Sequence, residues 1–342
     1  YLAKDYLRFC LTGTWETDAS DAVGTLMADA KRGAWSPEIC ALIGWDTGRL
    51  PPIRRATDVV GGVTAQAAAL TGLAPGTKLV CGANDTSVEF FGVGAVRPGM
   101  AAVKLATACV LYVATDGPRV EPPVSCYPHI IEGMFYTAAG TNSCASAHRW
   151  LRDLMFAEGG FAEMDRLAAT IAPGSAGLLF HPYLQGERAP YWDPLLRGDF
   201  VGLTISHNRA HFARALYEGI AFSIRDLLAA TPDRPREFDT IRLIGGGARS
   251  LLWRQIIADV TGLSVQVMAT GDASFGVALV AGLGIGMFST PDAAINTCVH
   301  VTDETHPDPH AHALYDQLFA LYQQTQQALA GINHQLHRVL GT

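Results

Sequence analysis

The sequence predicts an α/β fold in which helices cover a sheet. From Met100 onward, apolar runs of strand length alternate with segments of helical periodicity, and the strands leave through glycine-punctuated turns. The size agrees. At roughly 100–200 residues per domain, 342 residues that are 49% hydrophobic and 17% charged supply two cores.

Each element has a local reason. Tyr6, Leu7, Phe9 and Leu11 predict a helix that ends at Gly13, and Ser36-Pro37-Glu38 is a helix start with proline in the first turn. Thr64 to Leu70 reads as a short helix closed by Gly72, so residues 1–75 are expected to be helices and loops. Thr77 to Cys81 predicts a buried strand, and Val88, Phe90, Phe91 and Val93 predict the helix after it. Ala101 to Ala106 and Cys109 to Ala114 are strand-length runs, and Gly133-Met134 turns a hairpin into Phe135 to Ala138. Helices follow over Ser143 to Phe156 and Arg209 to Ala230. Next come a strand over Thr240 to Ile244, a helix over Ser250 to Thr261, a strand over Val265 to Met268 and a helix over Ala273 to Phe288. A long helix over Ala311 to Ile332 closes the chain, with apolar residues at Leu314, Leu318, Leu321 and Leu329.

Composition narrows the function. With 25 basic and 32 acidic residues the formal charge is −7, which argues against a nucleic-acid or membrane-surface partner, since phosphate surfaces require clustered cations. The longest apolar run, Val277 to Phe288, falls short of the ~18–20 residues that span a bilayer. The seven cysteines are scattered with no C-x-x-C pair, the usage of a cytoplasmic protein with reduced thiols. No P-loop, H-E-x-x-H, G-x-S-x-G elbow or helix-opening G-x-G-x-x-G is present. His306, His310 and His312 read as a helix entrance beside Pro307 and Pro309 rather than as a metal site.

Three turns remain as candidate sites. Cys81-Gly82-Ala83-Asn84-Asp85-Thr86-Ser87 puts a carboxylate at the carboxyl end of a strand and in the first turn of a helix, where the dipole favours an anion and where sheets present ligands. Plain N-capping by Asn84 or Asp85 accounts for the same residues. Val103-Lys104-Leu105-Ala106-Thr107-Ala108-Cys109 places a hydroxyl among small residues between two strands, where amides can approach a phosphate; an ordinary β-turn reads the same way. Ile244-Gly245-Gly246-Gly247-Ala248-Arg249-Ser250 empties a strand through three glycines, more than a plain connection requires, so that a flat base or a phosphate can rest on the backbone.

Taken in chain order, these turns resemble a family. Lys4-Asp5-Tyr6-Leu7-Arg8, Leu11-Thr12-Gly13, Thr17-Asp18 and Ser20-Asp21-Ala22 are similar to the first-domain tail of FGGY carbohydrate kinases, and Asn84-Asp85 falls on their catalytic turn. Tyr183-Leu184-Gln185-Gly186-Glu187-Arg188-Ala189-Pro190, Gly198 to Leu203, His211-Phe212 and Ala215 to Gly219 resemble the C-terminal signature, in a form most like xylulokinases. The resemblance covers essentially the whole chain. It implies the actin-like ATPase (ribonuclease H-like) fold, with a partial first domain plus a complete second domain: 1–98 would be the C-terminal portion of the sugar-binding domain and 99–342 the nucleotide-binding domain. It further implies phosphorylation of a small-molecule sugar with ATP and Mg²⁺ as cofactors, the acceptor being D-xylulose or a related ketose or polyol. Glycerol, gluconate or ribulose as acceptor, or a nucleotide- or sugar-binding protein that has lost catalysis, are the alternatives. The resemblance also leaves room for a homodimer.

By the same resemblance Asp85 is the general base, with Asn84 and Thr86 beside it at the sugar. Thr107 contacts the phosphates, Gly140 and Asn142 lie near the ribose or α-phosphate, and Gly246, Gly247, Ala248 and Ser250 line the adenosine. The chain also departs from the pattern. Leu105-Ala106-Thr107-Ala108 stands where the family usually has Leu-Gly-Thr-Ser, and Asp272 stands where a glutamate is common. The family's N-terminal Asp-x-Gly-Thr strand has no counterpart, so roughly 150 further residues of a whole first domain are expected upstream. Glu187 with Arg188 reads equally as a pair across a cleft rim or as a solvated tether. Tyr191, Trp192 and Pro194 read as loop packing ahead of a sugar-side lip, and Glu218 as an acceptor for a backbone turn. His181, His207 and His211 receive no catalytic role.

Overall fold

The computed structural model describes residues 2–231 and 239–341. The strands that build the main sheet are β1 (Ala101–Leu105), β2 (Cys109–Thr115), β3 (Ser125–Pro128), β4 (Phe135–Gly140), β5 (Thr240–Ile244), β6 (Ser264–Met268) and β7 (Val301–Thr305), in the order β7-β6-β5-β1-β2-β4-β3. Strands β1, β2 and β4 form an antiparallel meander, whereas β5 and β6 run parallel to β1 and to each other. Without its two edge strands the order is 4-2-1-5-6, a meander extended by parallel strands, which is the actin-like ATPase arrangement.

The helices that matter for the site are α1 (Ala3–Thr12), α2 (Asp85–Gly92), α3 (Ala145–Met155), α4 (Arg209–Ala230), α5 (Leu251–Thr261), α6 (Ala273–Gly284) and α7 (Pro309–Leu340). Val103, Leu105 and Leu111 of the sheet share one core with Leu216, Ile220 and Ile224 of α4, Ile256 of α5 and Tyr315 of α7. On the opposite face Phe90 of α2 packs with Ala102, Tyr112, Tyr136 and Ile244. Strand alternation produces this division, because Ala102 and Val103 are neighbours in sequence but point to opposite faces.

Among the described residues no helix is long and apolar enough to cross a membrane. The seven cysteines are unpaired. The first 75 residues depart from the expectation of helices and loops. Thr17–Asp18 pairs in parallel with Ile53–Arg54, and Val59–Gly62 pairs with Lys78–Val80. Two-residue strands leave no periodic signature, so their pairing is invisible to pattern reading. The helix Gly160–Ala168, the helix Pro291–Cys298 and the edge strand β7 were not expected either.

Candidate active site

The turn before α2 is fixed from three directions. Asn84 caps the helix, its Oδ1 accepting from the Ser87 amide at 2.7 Å, and its own amide donates to Ser20 Oγ at 3.0 Å. Arg8 donates to the Cys81 carbonyl at 2.7 Å and meets Asp5 at 3.0 Å. Lys4 joins Asp5, Asp18 and Asp21 at 2.7, 2.9 and 3.1 Å. The Lys-Asp-Tyr-Leu-Arg and Thr-Asp segments therefore brace the turn through backbone contacts and through ion pairs, of which Arg8–Asp5 is buried and those of Lys4 are partly exposed. Burial, with the charge of Asp18 added, pushes the Asp21 carboxyl up to about 6.

Capping and exposure thus fall to different residues. Asn84 satisfies the helix terminus, and Asp85 is left exposed as the first helical residue. Asp85 Oδ1 accepts from the Thr86 amide at 2.7 Å and from the Thr86 hydroxyl at 3.3 Å. One turn further along, Glu89 faces inward and meets Lys104 of β1 at 2.5 Å. Burial raises the Glu89 carboxyl, Lys104 lowers it, and the charges of Asp85 and Asp272 raise it again. That pair connects the helix bearing Asp85 to the strand that leads into the Thr107 turn. Asp272 caps α6 by accepting from the Phe275 amide at 2.8 Å.

A cavity of about 670 Å³ opens between the Thr107 turn and the glycine turn, lined by Thr107, Gly246, Gly247 and Ser250 together with His148, Arg149, Arg152 and Trp253. Its construction depends on missing side chains. Gly245 has φ +92°, and a Cβ there would lie 2.6 Å from the Leu105 carbonyl; at Gly247 a Cβ would meet Trp253 at 2.8 Å and Leu105 at 2.9 Å. Gly246 has open space instead. Ser250 caps α5, accepting from the Trp253 amide at 3.2 Å. The turn after β4 closes around Thr107, whose carbonyl accepts from the Cys144 and Ser146 amides at 3.1 and 3.2 Å.

One wall of the cavity is aromatic. His148 stacks on Phe161 with ring centroids 4.5 Å apart, and its Nε2–H reaches the Tyr217 hydroxyl at 2.6 Å while that hydroxyl donates to Asp165. Burial lowers the His148 pKa to about 4, so the ring is neutral.

The structure brings Thr107, Gly246, Gly247 and Ser250 together, and Asp85 with Thr86 and Asn84, but three expected residues stand apart. Ala248 is buried behind the glycine turn, with its carbonyl held by Arg254 Nε. Gly140 and Asn142 lie against the Gln185–Arg188 loop: the Asn142 amide donates to Glu187 Oε1 at 2.6 Å, its side chain reaches the Gln185 carbonyl at 3.1 Å, and Arg188 donates to the Thr141 carbonyl at 2.7 Å. Glu187 is no solvated tether. It is 2% exposed, and its Oε2 has no partner among the described residues.

Glu218 fulfils the structural reading, accepting from the Gly174 amide at 2.9 Å, from Ser175 Oγ at 2.8 Å and from Arg214 at 2.7 Å. His181 is buried between Asp199 and the Tyr322 carbonyl, and His306 bonds Ser264. Sequence reading assigned no role to Glu89, Lys104, His148, Arg149 or Arg152. For Glu89 a signal existed, since it stands at i+4 from Asp85 on one helix face.

A meander extended by parallel strands, with a hydroxyl turn facing a glycine turn across one cavity, defines a protein of the actin-like ATPase fold class. The match to known proteins is more specific. The FGGY family of carbohydrate kinases matches through its N-terminal domain at residues 1–92 and its C-terminal domain at residues 101–285. The chain belongs to that family.

A xylulose kinase of Staphylococcus epidermidis is 31% identical over 97% of this chain and 68% of its own length. A gluconokinase of Bacillus licheniformis is 30% identical over 95% and 66%. The ligand-bound xylulose kinase structure from Lactobacillus acidophilus superposes with a TM-score of 0.91 at 28% identity, covering 97% of this chain and 68% of that one. The chain thus spans about two thirds of the length of these relatives.

Proposed function

We propose that this chain carries the base and the nucleotide half of an ATP-dependent kinase whose acceptor is D-xylulose or a related ketose or polyol, with domains divided at Pro98-Gly99. One observation carries the reading most directly: Asp85 is exposed at the start of α2 because Asn84 has taken over the capping. The acceptor hydroxyl gives its proton to Asp85 as its oxygen forms the new bond to the γ-phosphorus. The bond from that phosphorus to the β-phosphate oxygen breaks, and its electron pair leaves with ADP. Thr107 and its neighbouring amides meet the phosphates, while Gly246, Gly247 and Ser250 border the adenosine, with His148 and Trp253 as the aromatic wall.

Mg²⁺ neutralises phosphate charge in such transfers. Among the described residues no three His, Cys, Asp or Glu side chains converge to hold a metal ion.

Coupled ADP release from the full-length protein, offered pentuloses, polyols and gluconate, tests the substrate. Gluconate is the second reading, supported by the gluconokinase at 30% identity. Asp85→Asn is expected to lower kcat by about 10²–10⁴ with ATP affinity retained. Near-normal turnover would reject Asp85 as the base.

A further inference from the structure

The ion pair between Lys104 and Glu89 is absorbed neither by the base nor by the adenosine cavity. Lys104 is the last residue but one of β1, level with Ile244 of the parallel strand β5. Both strands run from these residues into the two turns that border the cavity, so Lys104 stands at the carboxyl ends of parallel strands, where α/β sheets present ligands. Val103 and Leu105 point into the main core, and alternation turns Lys104 to the opposite face, toward α2. There its Nζ meets Glu89 at 2.5 Å, with the lysine side chain 30% exposed and the glutamate 9%.

The cation keeps a solvent-facing side, and it lies on the strand next to the cavity-lining residues Leu105, Ala106 and Thr107 without itself being one of them. Its surroundings are acidic, since Glu89 lies within the electrostatic reach of Asp85 and Asp272. A polyphosphate arriving beside these carboxylates is repelled unless a cation accompanies them. The adjacent turn offers one hydroxyl, Thr107, with alanines at 106 and 108.

We propose that Lys104 is the cation that contacts the γ-phosphate of bound ATP, and that Glu89 is the positioning residue that holds its Nζ there. This rests on the nucleotide placement given above. As the acceptor oxygen bonds to the γ-phosphorus and the bond to the β-phosphate breaks, the ammonium neutralises charge on the transferring group without exchanging a proton.

Calorimetry of ATP and ADP binding to the full-length protein separates the possibilities. Lys104→Met is expected to weaken ATP binding about tenfold or more, the worth of a charge-assisted hydrogen bond, while ADP affinity is unchanged. Lys104→Arg should restore most of the difference, and Glu89→Gln should fall between the parent and Lys104→Met. In phosphorus NMR of the bound nucleotide, only the γ resonance should move on Lys104→Met. If Lys104→Met fails to fold, the Arg and Gln variants carry the same comparison, and equal ATP-over-ADP preference in both and in the parent overturns the proposal. A folded Lys104→Met with the parent's preference overturns it directly. If the parent binds neither nucleotide, the cavity assignment falls and the proposal falls with it. If Asp85→Asn keeps its turnover while Lys104→Met loses its ATP preference, the base assignment fails and this proposal stands.

Discussion

Burial raises the Glu187 carboxyl to a pKa of about 7, against the lowering effect of its two backbone donors, Asn142 and Arg188. An unfolded glutamate titrates near ~4.3, so the folded protein holds the extra proton between these values. Its stabilising contribution is complete below about pH 4 and is lost as pH rises through about 7. Glu187→Gln keeps an acceptor for both amides and removes the charge. Between about pH 5 and about pH 8 the variant should gain on the order of 3 kcal/mol relative to the parent, read from denaturant midpoints at the two pH values. A difference that does not change with pH would mean that Oε2 is solvated in the folded protein. None of this was legible in Gly-Glu-Arg-Ala-Pro, because the donor that buries the carboxylate, Asn142, lies 45 residues away. A cap at Asn84 or Asp85 and a helix start at Ser250 were legible, since capping is settled within three residues of the cap. The structure gives the first cap to Asn84 and the second to Ser250.

Elements meet where side chains are missing. A Cβ on Gly276 of α6 would lie 1.9 Å from the Val88 carbonyl of α2, and one on Gly92 would lie 2.9 Å from the Gly276 Cα. The two helices therefore touch backbone to backbone. Gly276→Ala should push them apart, destabilising by about 1–3 kcal/mol and displacing the helix that presents Asp85, so the urea midpoint and kcat should fall together. Gly331, exposed in α7 with open space around it, supplies the opposite sign. Gly331→Ala should stabilise by about 0.5–1 kcal/mol. If both variants shift the midpoint in one direction, backbone contact is not what fixes glycine at 276. The helix at 273 was readable from its apolar run, but nothing local marked Gly276 as a contact point. Strand β7, Val-Thr-Asp-Glu-Thr, escaped because it is an exposed edge that, among the described residues, pairs only with β6.

At the scale of the molecule, α2 stitches the halves of the chain together. Phe90 packs with the sheet, whereas Val88 and Phe91 pack with Leu279 and Val280 of α6 and with Ala56 and Ala83 of the first segment. The Thr107 turn and the glycine turn are then two sides of one cavity in a connected body, and a ligand bound there stabilises the body as a whole. At about a hundred times its Kd a ligand adds about 2.7 kcal/mol, and for a chain of 342 residues that is a rise in Tm of about 4 °C. ATP and ADP should both produce the rise, in the parent and equally in Asp85→Asn, because the base lies outside the cavity lining. Gly247→Val should abolish it, since its side chain would run into Trp253 and Leu105. A Tm indifferent to both nucleotides in the parent would remove the cavity from the site, whereas a rise that survives Gly247→Val would move the adenosine elsewhere.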